Sequence, residues 1–206
     1  MTTATRRPSR RGQQTRERML EVAEALFVEE GYQGVSIDRI VQQAGVTKGA
    51  FYHHFNDKLS AFLAVFERID REMSDLVMEA ALTGTTPLDM IRRGMRRNFE
   101  LCIQPRYGRL VYIEGPAALG WHEWLRIDSK LAGAIINTGL QAGRDSGELR
   151  SPSLSALSTL LLGAILQANV AIAGADNAAA TCAELATEMD HLLQSLHHQS
   201  FKEKTS

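Results

Sequence analysis

Apolar residues along this chain recur at the spacing of helices and almost nowhere in the alternation of strands. Met19, Val22, Ala23, Leu26 and Phe27 mark one face of a first helix over 15–30, which Gly31 ends. Ile37, Ile40, Val41 and Ala44 repeat at i, i+3, i+4 and i+7, so a short second helix follows, with Ser36 as its N-cap and Gly45 as its stop. The capping-box position that usually holds Glu or Gln is Arg39, although Asp38 still favours that helix end. Thr47 caps a third helix, about 47–54, that turns Ala50 and Phe51 inward and leaves Thr47, Lys48, Gly49, Tyr52 and His53 outside. Two helices sharing so short a turn cross steeply, the arrangement by which a helix-turn-helix lays its second helix in the major groove of DNA. Asn56 or Asp57 then caps a fourth helix, with Leu59, Phe62, Leu63, Phe66 and Ile69 apolar, running on through Val77.

Beyond the turn cluster LTGTTP at 82–87, Pro87 suits the first turn of a helix carrying Met90, Ile91, Met95 and Phe99. Its Arg92, Arg93, Arg96 and Arg97 read as a solvated basic face. In RLVYIEGPAALGWHEWLRIDSKL, Gly115-Pro116 interrupts a helix, and Trp121 and Trp124 start another. A break inside a bundle leaves room and unpaired backbone groups, so a pocket is expected there, lined by Phe66, Phe99, Tyr112, Trp121, His122 and Trp124. For each tryptophan an ordinary place in the core fits the sequence equally well. Ser153 caps a helix over 154–173 that is apolar almost all round, and Cys182, Leu185, Ala186, Met189, Leu192, Leu193 and Leu196 form the stripe of a last one. The pattern predicts an all-α chain of about nine helices in four parts: a flexible basic arm at 1–14, a helix-turn-helix domain at 15–58, a helical ligand-binding domain at 59–198, and a tail at 199–206.

Composition changes this picture in one respect. With 206 residues, 44% of them hydrophobic, the chain can fill one large core or two small ones, and its net charge is −1. That charge is unevenly placed. Residues 1–18 hold six arginines against Glu17, a local charge of +5, whereas residues 61–206 hold 14 basic and 17 acidic side chains, or −3. Positive charge therefore gathers where phosphates would lie, and Arg10 and Arg11 are expected to settle into a minor groove. No segment reads as a membrane span, and no apolar stretch follows the basic N-terminus, so no membrane partner and a cytoplasmic location are expected.

Candidate chemistry is sparse. Cys102 and Cys182 read as buried helix residues, and the adjacent pairs His53–His54 and His197–His198 lack the i, i+3 or i+4 spacing that would aim two imidazoles at one metal. No phosphate-cradling loop or nucleophile motif is found, so neither catalysis, a metal nor a cofactor is expected.

The stretch AGVTKGAFYHHFNDKLSAF, preceded by GYQGVSIDRIVQQ, resembles the signature of the TetR family of bacterial transcriptional regulators, and about a quarter of the chain carries that resemblance. The stretch around Gly115-Pro116 is similar to one found in many members of this size. The resemblance implies a dimeric regulator whose last two helices pack against their copies. Leu157, Leu161, Ala164, Ala168, Leu185, Met189, Leu192 and Leu196 are the expected interface. It also implies a repressor of a palindromic double-stranded operator, contacted by Arg10, Arg11, Ser36, Thr47, Lys48, Gly49, Tyr52, His53 and Lys58 and released by a largely apolar small-molecule effector. The alternative is an architectural or scaffold DNA-binding protein whose helical body holds a protein partner.

Overall fold

The computed structural model describes residues 10–196, all-helical without a strand among them. Arg6 and Arg7 of the expected arm, His197, His198 and the tail at 199–206 lie outside the described residues. Helix α1 (Arg10–Gly34) is followed by α2 (Ile37–Ala44), α3 (Lys48–His54), α4 (Lys58–Ala81) and α5 (Pro87–Cys102). A π-helical segment (Gly108–Glu114) leads into α6 (Gly115–Leu119), then α7 (Trp121–Asp145), α8 (Leu154–Gly174) and α9 (Ala178–Ser195). Helices α2 and α3 pack on α1, which packs on α4 and on the π-helical segment, while α4 reaches α5, α6 and α7. The head carrying α2 and α3 is thus joined to the body through α1 and α4.

Helix α1 begins at Arg10, earlier than the expected 15. Thr15 lies within it, its hydroxyl donating to the Arg11 carbonyl one turn back at 2.9 Å. Arginine and glutamine are good helix formers, so the basic run extends the helix, and Arg10 and Arg11 stand exposed in its first turn rather than in a loose arm. At Gly31 the helix breaks, with φ 73° and ψ 166°. A side chain there would be strained, and its Cβ would lie 2.7 Å from a Glu114 carboxylate oxygen. Asp57 caps α4 through a reciprocal box, accepting from the Ser60 amide at 2.7 Å while the Ser60 hydroxyl accepts from the Asp57 amide at 3.1 Å.

The head's core is aromatic. Phe27, Phe51 and Phe62 are fully buried, with Phe27 and Phe62 edge-to-face at 5.2 Å and Tyr32 against Phe62 at 5.1 Å. In the body, the arginines of α5 are paired rather than merely solvated. Arg92 and Arg93 reach Asp89, Arg97 reaches Glu100, and Arg96 crosses to Asp190 on α9 with its Nε at 2.9 Å.

Among the described residues, α8 is the one long apolar helix. Its 21 residues contain an 18-residue window of mean hydropathy 1.8, long and apolar enough to cross a membrane by length and composition. Here the helix packs on α5, α7, α9 and the π-helical segment, yet only 28% of that window is buried within the chain.

Candidate nucleic-acid interface and ligand cavity

Local sequence builds the recognition unit one cap at a time. Ser36 accepts from the Arg39 amide at 3.2 Å and starts α2, and Gly45, at φ 64° and ψ 38°, ends it in the left-handed conformation. Thr47 accepts from the Ala50 amide at 3.1 Å and starts α3. Arg39, at the departed capping-box position, instead pairs with Glu30 of α1 at 2.8 Å. Phe51 and Phe55 anchor α3 to the core, with Phe55 under the Arg16 guanidinium at 5.3 Å, so the opposite face of α3 is fixed outward. On it stand Lys48, Gly49, Tyr52 and His53, all exposed, with Ser36 and Thr47 exposed beside them. A Cβ on Gly49 would meet only the Thr47 hydroxyl at 3.8 Å, so nothing within the chain demands a glycine there. Lys48 is held by Asp38 at 2.6 Å, and that hydrogen bond raises its pKa above the ordinary lysine value.

Lys58, expected at a phosphate, is also engaged within the chain. Its ammonium donates to the carbonyls of Tyr32 at 2.8 Å and Val35 at 3.0 Å and lies 4.2 Å from the centre of the Tyr32 ring. Carbonyls left open between α1 and α2 attract a cation, so Lys58 pins the head to the start of α4.

The expected pocket at Gly115-Pro116 is filled. Pro116 has no N–H and the Gly115 amide bonds to Leu110 in π geometry, which leaves the Val111 carbonyl without a helical donor. The Trp124 indole donates to it at 2.8 Å. A Cβ on Gly115 would sit 2.8 Å from Trp124 and 2.9 Å from Phe66, so these rings close the gap and only glycine admits them. Phe66, Phe99 and Trp124 are fully buried core residues and His122 is exposed on the surface; none of the four lines the cavity between α5, α7 and α8.

A cavity of about 360 Å³ opens instead between α5, α7 and α8. Tyr112 and Trp121 do reach it, the latter 53% exposed at the start of α7. Its wall is built chiefly from Met90, Ile91, Met95, Leu125, Ile136 and Leu162, with Asn98, Asn169 and Asp128 as polar points. A smaller adjoining space shares Val77, Asn98, Tyr112, Asp128, Ala132 and Ile135 with it and adds Asp70. Asn98 donates to Asn169 at 2.7 Å, and Tyr112 and Asp128 line the same wall. Burial pushes the Asp70 carboxyl up to about 7, helped by Asp128, and the Asp128 carboxyl up to about 6, with Tyr112 opposing the rise. These polar residues went unnoticed in the sequence although each interrupts an apolar stripe: Asp70 among Phe66, Ile69 and Met73, and Asp128 between Leu125 and Ala132.

The wall also touches the head. Tyr112 and Glu114 belong to the same π-helical segment, and the Glu114 carboxylate accepts from the Tyr32 amide at 2.8 Å, just past the break at Gly31. Arg109, one turn back, reaches Glu114 at 3.4 Å and the Val28 carbonyl at 3.4 Å. Arg106 adds a bidentate pair with Glu72 on α4, both bonds 2.7 Å, and a bond to Glu24 on α1.

Of the residues expected at a chain–chain interface, Leu161, Ala168 and Met189 are buried in the chain's own core. Leu157, Ala164, Leu185 and Leu196 are partly buried against it. Leu192 is 55% exposed, and Leu160, which the stripe reading passed over, is 71% exposed.

A helix-turn-helix head on a helical, cavity-bearing body defines a DNA-binding transcription regulator rather than an enzyme. Residues 19–65 match the family model for bacterial regulatory proteins of the tetR family, and residues 88–196 match that for the tetracyclin repressor-like C-terminal domain. The chain belongs to the TetR family. It is 29% identical over 153 residues to the transposon Tn10 TetC protein of Escherichia coli, covering 72% of this chain and 75% of that one. It is 32% identical over 108 residues to the regulator AcrR of Shigella flexneri, covering 52% of this chain and 50% of AcrR. A TetR-family regulator from Pectobacterium atrosepticum shares the fold with TM-score 0.81 at 27% identity, over 94% of this chain and 99% of that one. FadR of Bacillus subtilis in complex with stearoyl-CoA shares it at 0.72 and 19% identity, over 88% of this chain and 99% of that one.

Proposed function

We propose that this chain is a repressor that binds a palindromic operator as a homodimer and releases it when a small molecule with a largely apolar body occupies the cavity between α5, α7 and α8. The observation that carries this reading is the π-helical segment, which puts Tyr112 in the cavity wall and Glu114 on the Tyr32 amide of the head. A molecule that shifts Tyr112 acts on the hinge from which α2 and α3 hang. Only a differential affinity for two head positions moves the DNA equilibrium, and this link supplies one.

Lys48, Gly49, Tyr52 and His53 meet the DNA, Lys48 exchanging Asp38 for phosphate or a base edge, and the unobstructed Gly49 allows close approach. The second copy covers α8 and α9 along Ala156, Leu160, Gly163 and Gln167, with Leu192 beside them. These α8 residues recur on one exposed face of a helix too apolar to stay in water. FadR in its stearoyl-CoA complex is a protein of the same fold holding a small molecule, which favours an effector over a protein partner for the body.

The test is selection of duplexes from a random DNA library by the full chain, followed by sizing of the protein with and without the selected duplex. A two-fold symmetric consensus bound by an even number of chains is expected. An asymmetric consensus bound by a monomer overturns the reading.

A further inference from the structure

The cavity wall and its side space contain no lysine, arginine or histidine, yet two carboxylates face them. Asp70 is only 8% exposed, and among the described residues neither Asp70 nor Asp128 makes an ion pair. The cations nearby in sequence make no ion pair with these acids: Arg68 pairs with Glu17 and Glu24, Arg126 pairs with Glu123, and the exposed Arg71 only partly offsets the rise of Asp70 through its charge. An unpaired carboxylate in an apolar interior costs free energy whether it stays charged or must take up a proton, and two side by side cost more. Replacing them with amides or alkyl groups would relieve that cost, so a counter-charge from outside is the partner the site lacks.

The rest of the wall restricts what can bring that charge. Asn98 and Asn169 are already bonded to each other, which leaves few polar groups for a sugar or a peptide. An anionic headgroup would meet two acids and no base. A divalent metal needs about six oxygen ligands or a cluster of soft donors, and among the described residues no group of three His, Cys, Asp or Glu could hold one. The remaining wall is chiefly aliphatic and thioether surface, its Ser129 and Thr159 hydroxyls already donating to the Leu125 and Ser155 carbonyls, with the faces of the Trp121 and Tyr112 rings available to a cation.

From this geometry we infer that the cavity takes a hydrophobic organic monocation, an alkyl- or aryl-bearing amine or quaternary ammonium. Its charge lies at the Asp70–Asp128 end, and its apolar body lies against Met90, Ile91, Leu125 and Leu162. The inference rests on reading this cavity as the effector site and names the chemistry of that effector. Near neutrality Asp128 is largely ionised and Asp70 is close to its midpoint, so the pair presents between one and two negative charges to such a molecule.

The test uses the full chain and three probes of one chain length at submicellar concentration: decyltrimethylammonium, 1-decanol and decanoate. Binding is read by quenching of Trp121 and by calorimetry. The ammonium is expected to bind at least tenfold more tightly than decanol, and decanoate not at all. Asp70→Asn with Asp128→Asn should bring ammonium affinity down to that of decanol and leave decanol unchanged. Equal affinity for ammonium and decanol in the wild-type chain overturns the inference without recourse to a variant, as does a double variant that folds and keeps the preference. Anisotropy of a selected duplex separates this from the regulatory reading. Ammonium that binds as expected but never releases DNA leaves the cation site standing and sinks the effector role. Release by decanol or decanoate with no preference for ammonium does the reverse.

Discussion

The Trp124 indole donates to the Val111 carbonyl at 2.8 Å, replacing the backbone donor that Pro116 lacks. A proline that would open the bundle is thereby sealed, and the cavity lies elsewhere. Trp124→Phe keeps most of the ring volume but leaves that buried carbonyl unpaired, at a cost of about 1–3 kcal/mol. Thermal denaturation should show a drop of several degrees, and Trp124→Phe should still bind DNA below its melting range. An unchanged melting temperature means that the carbonyl finds another donor.

Lys48 and Lys58 separate by the same logic. Lys48→Ala removes the phosphate contact proposed for this exposed lysine, so the log–log salt dependence of DNA affinity should flatten by up to about 0.9 with no loss of fold. Tyr52→Ala should abolish specific binding. Lys58→Met should keep the wild-type salt slope but destabilise the head by about 2 kcal/mol, the scale of charged hydrogen bonds lost to Tyr32 and Val35. Equal salt slopes for Lys48→Ala and Lys58→Met would place both lysines on the same side of this division.

Charge placed on α8 and α9 distinguishes the proposed interface from the core. Leu160→Glu and Leu192→Glu alter exposed positions and should yield folded monomers on sizing, with operator affinity falling together with dimerisation. Leu161→Glu buries its carboxylate inside the chain and should unfold it instead. Folded dimers from Leu160→Glu would move the interface to another face.

The acids of the cavity set a pH dependence. Folding raises the pKa of Asp70 to about 7 and of Asp128 to about 6, so the native chain holds these protons more tightly than the unfolded one. Their contribution is fully present below the ordinary carboxylate range and is lost as pH rises through 6 to 7. Asp70→Asn should therefore change stability little near pH 4 and raise it at pH 8. At about 1.4 kcal/mol per unit, discounted for relaxation, the gain is on the order of 2 kcal/mol. Chemical denaturation at the two pH values checks the sign; a variant weaker at pH 8 contradicts it.

Glu114→Ala tests the link from cavity to head. It removes the acceptor of the Tyr32 amide and the partner of Arg109 without touching DNA or the cavity wall. Effector and DNA should each still bind, while the ratio of effector affinities with and without DNA falls toward one from the roughly 5- to 150-fold typical of coupled sites. An undiminished ratio would put the coupling through another contact.

The sequence by itself determined the elements and the recognition unit. Ser36, Gly45, Thr47 and Asp57 act through hydrogen bonds and backbone angles within a few residues of their own position, so their roles are local and legible. The outward face of α3 follows from Phe51 by helical period alone. Tertiary structure decided everything that depends on which helix lies opposite. No local pattern shows that Lys58 reaches the carbonyls of Tyr32 and Val35, and the gap at Pro116 looked like a pocket until Trp124 and Phe66 filled it. Helix α8 is apolar on nearly every side, so periodicity could not tell its inner Leu161 from its outer Leu160. Asp70 and Asp128, 58 positions apart, share one space only because α4 and α7 pack together, and no local rule brings two charges into the same cavity.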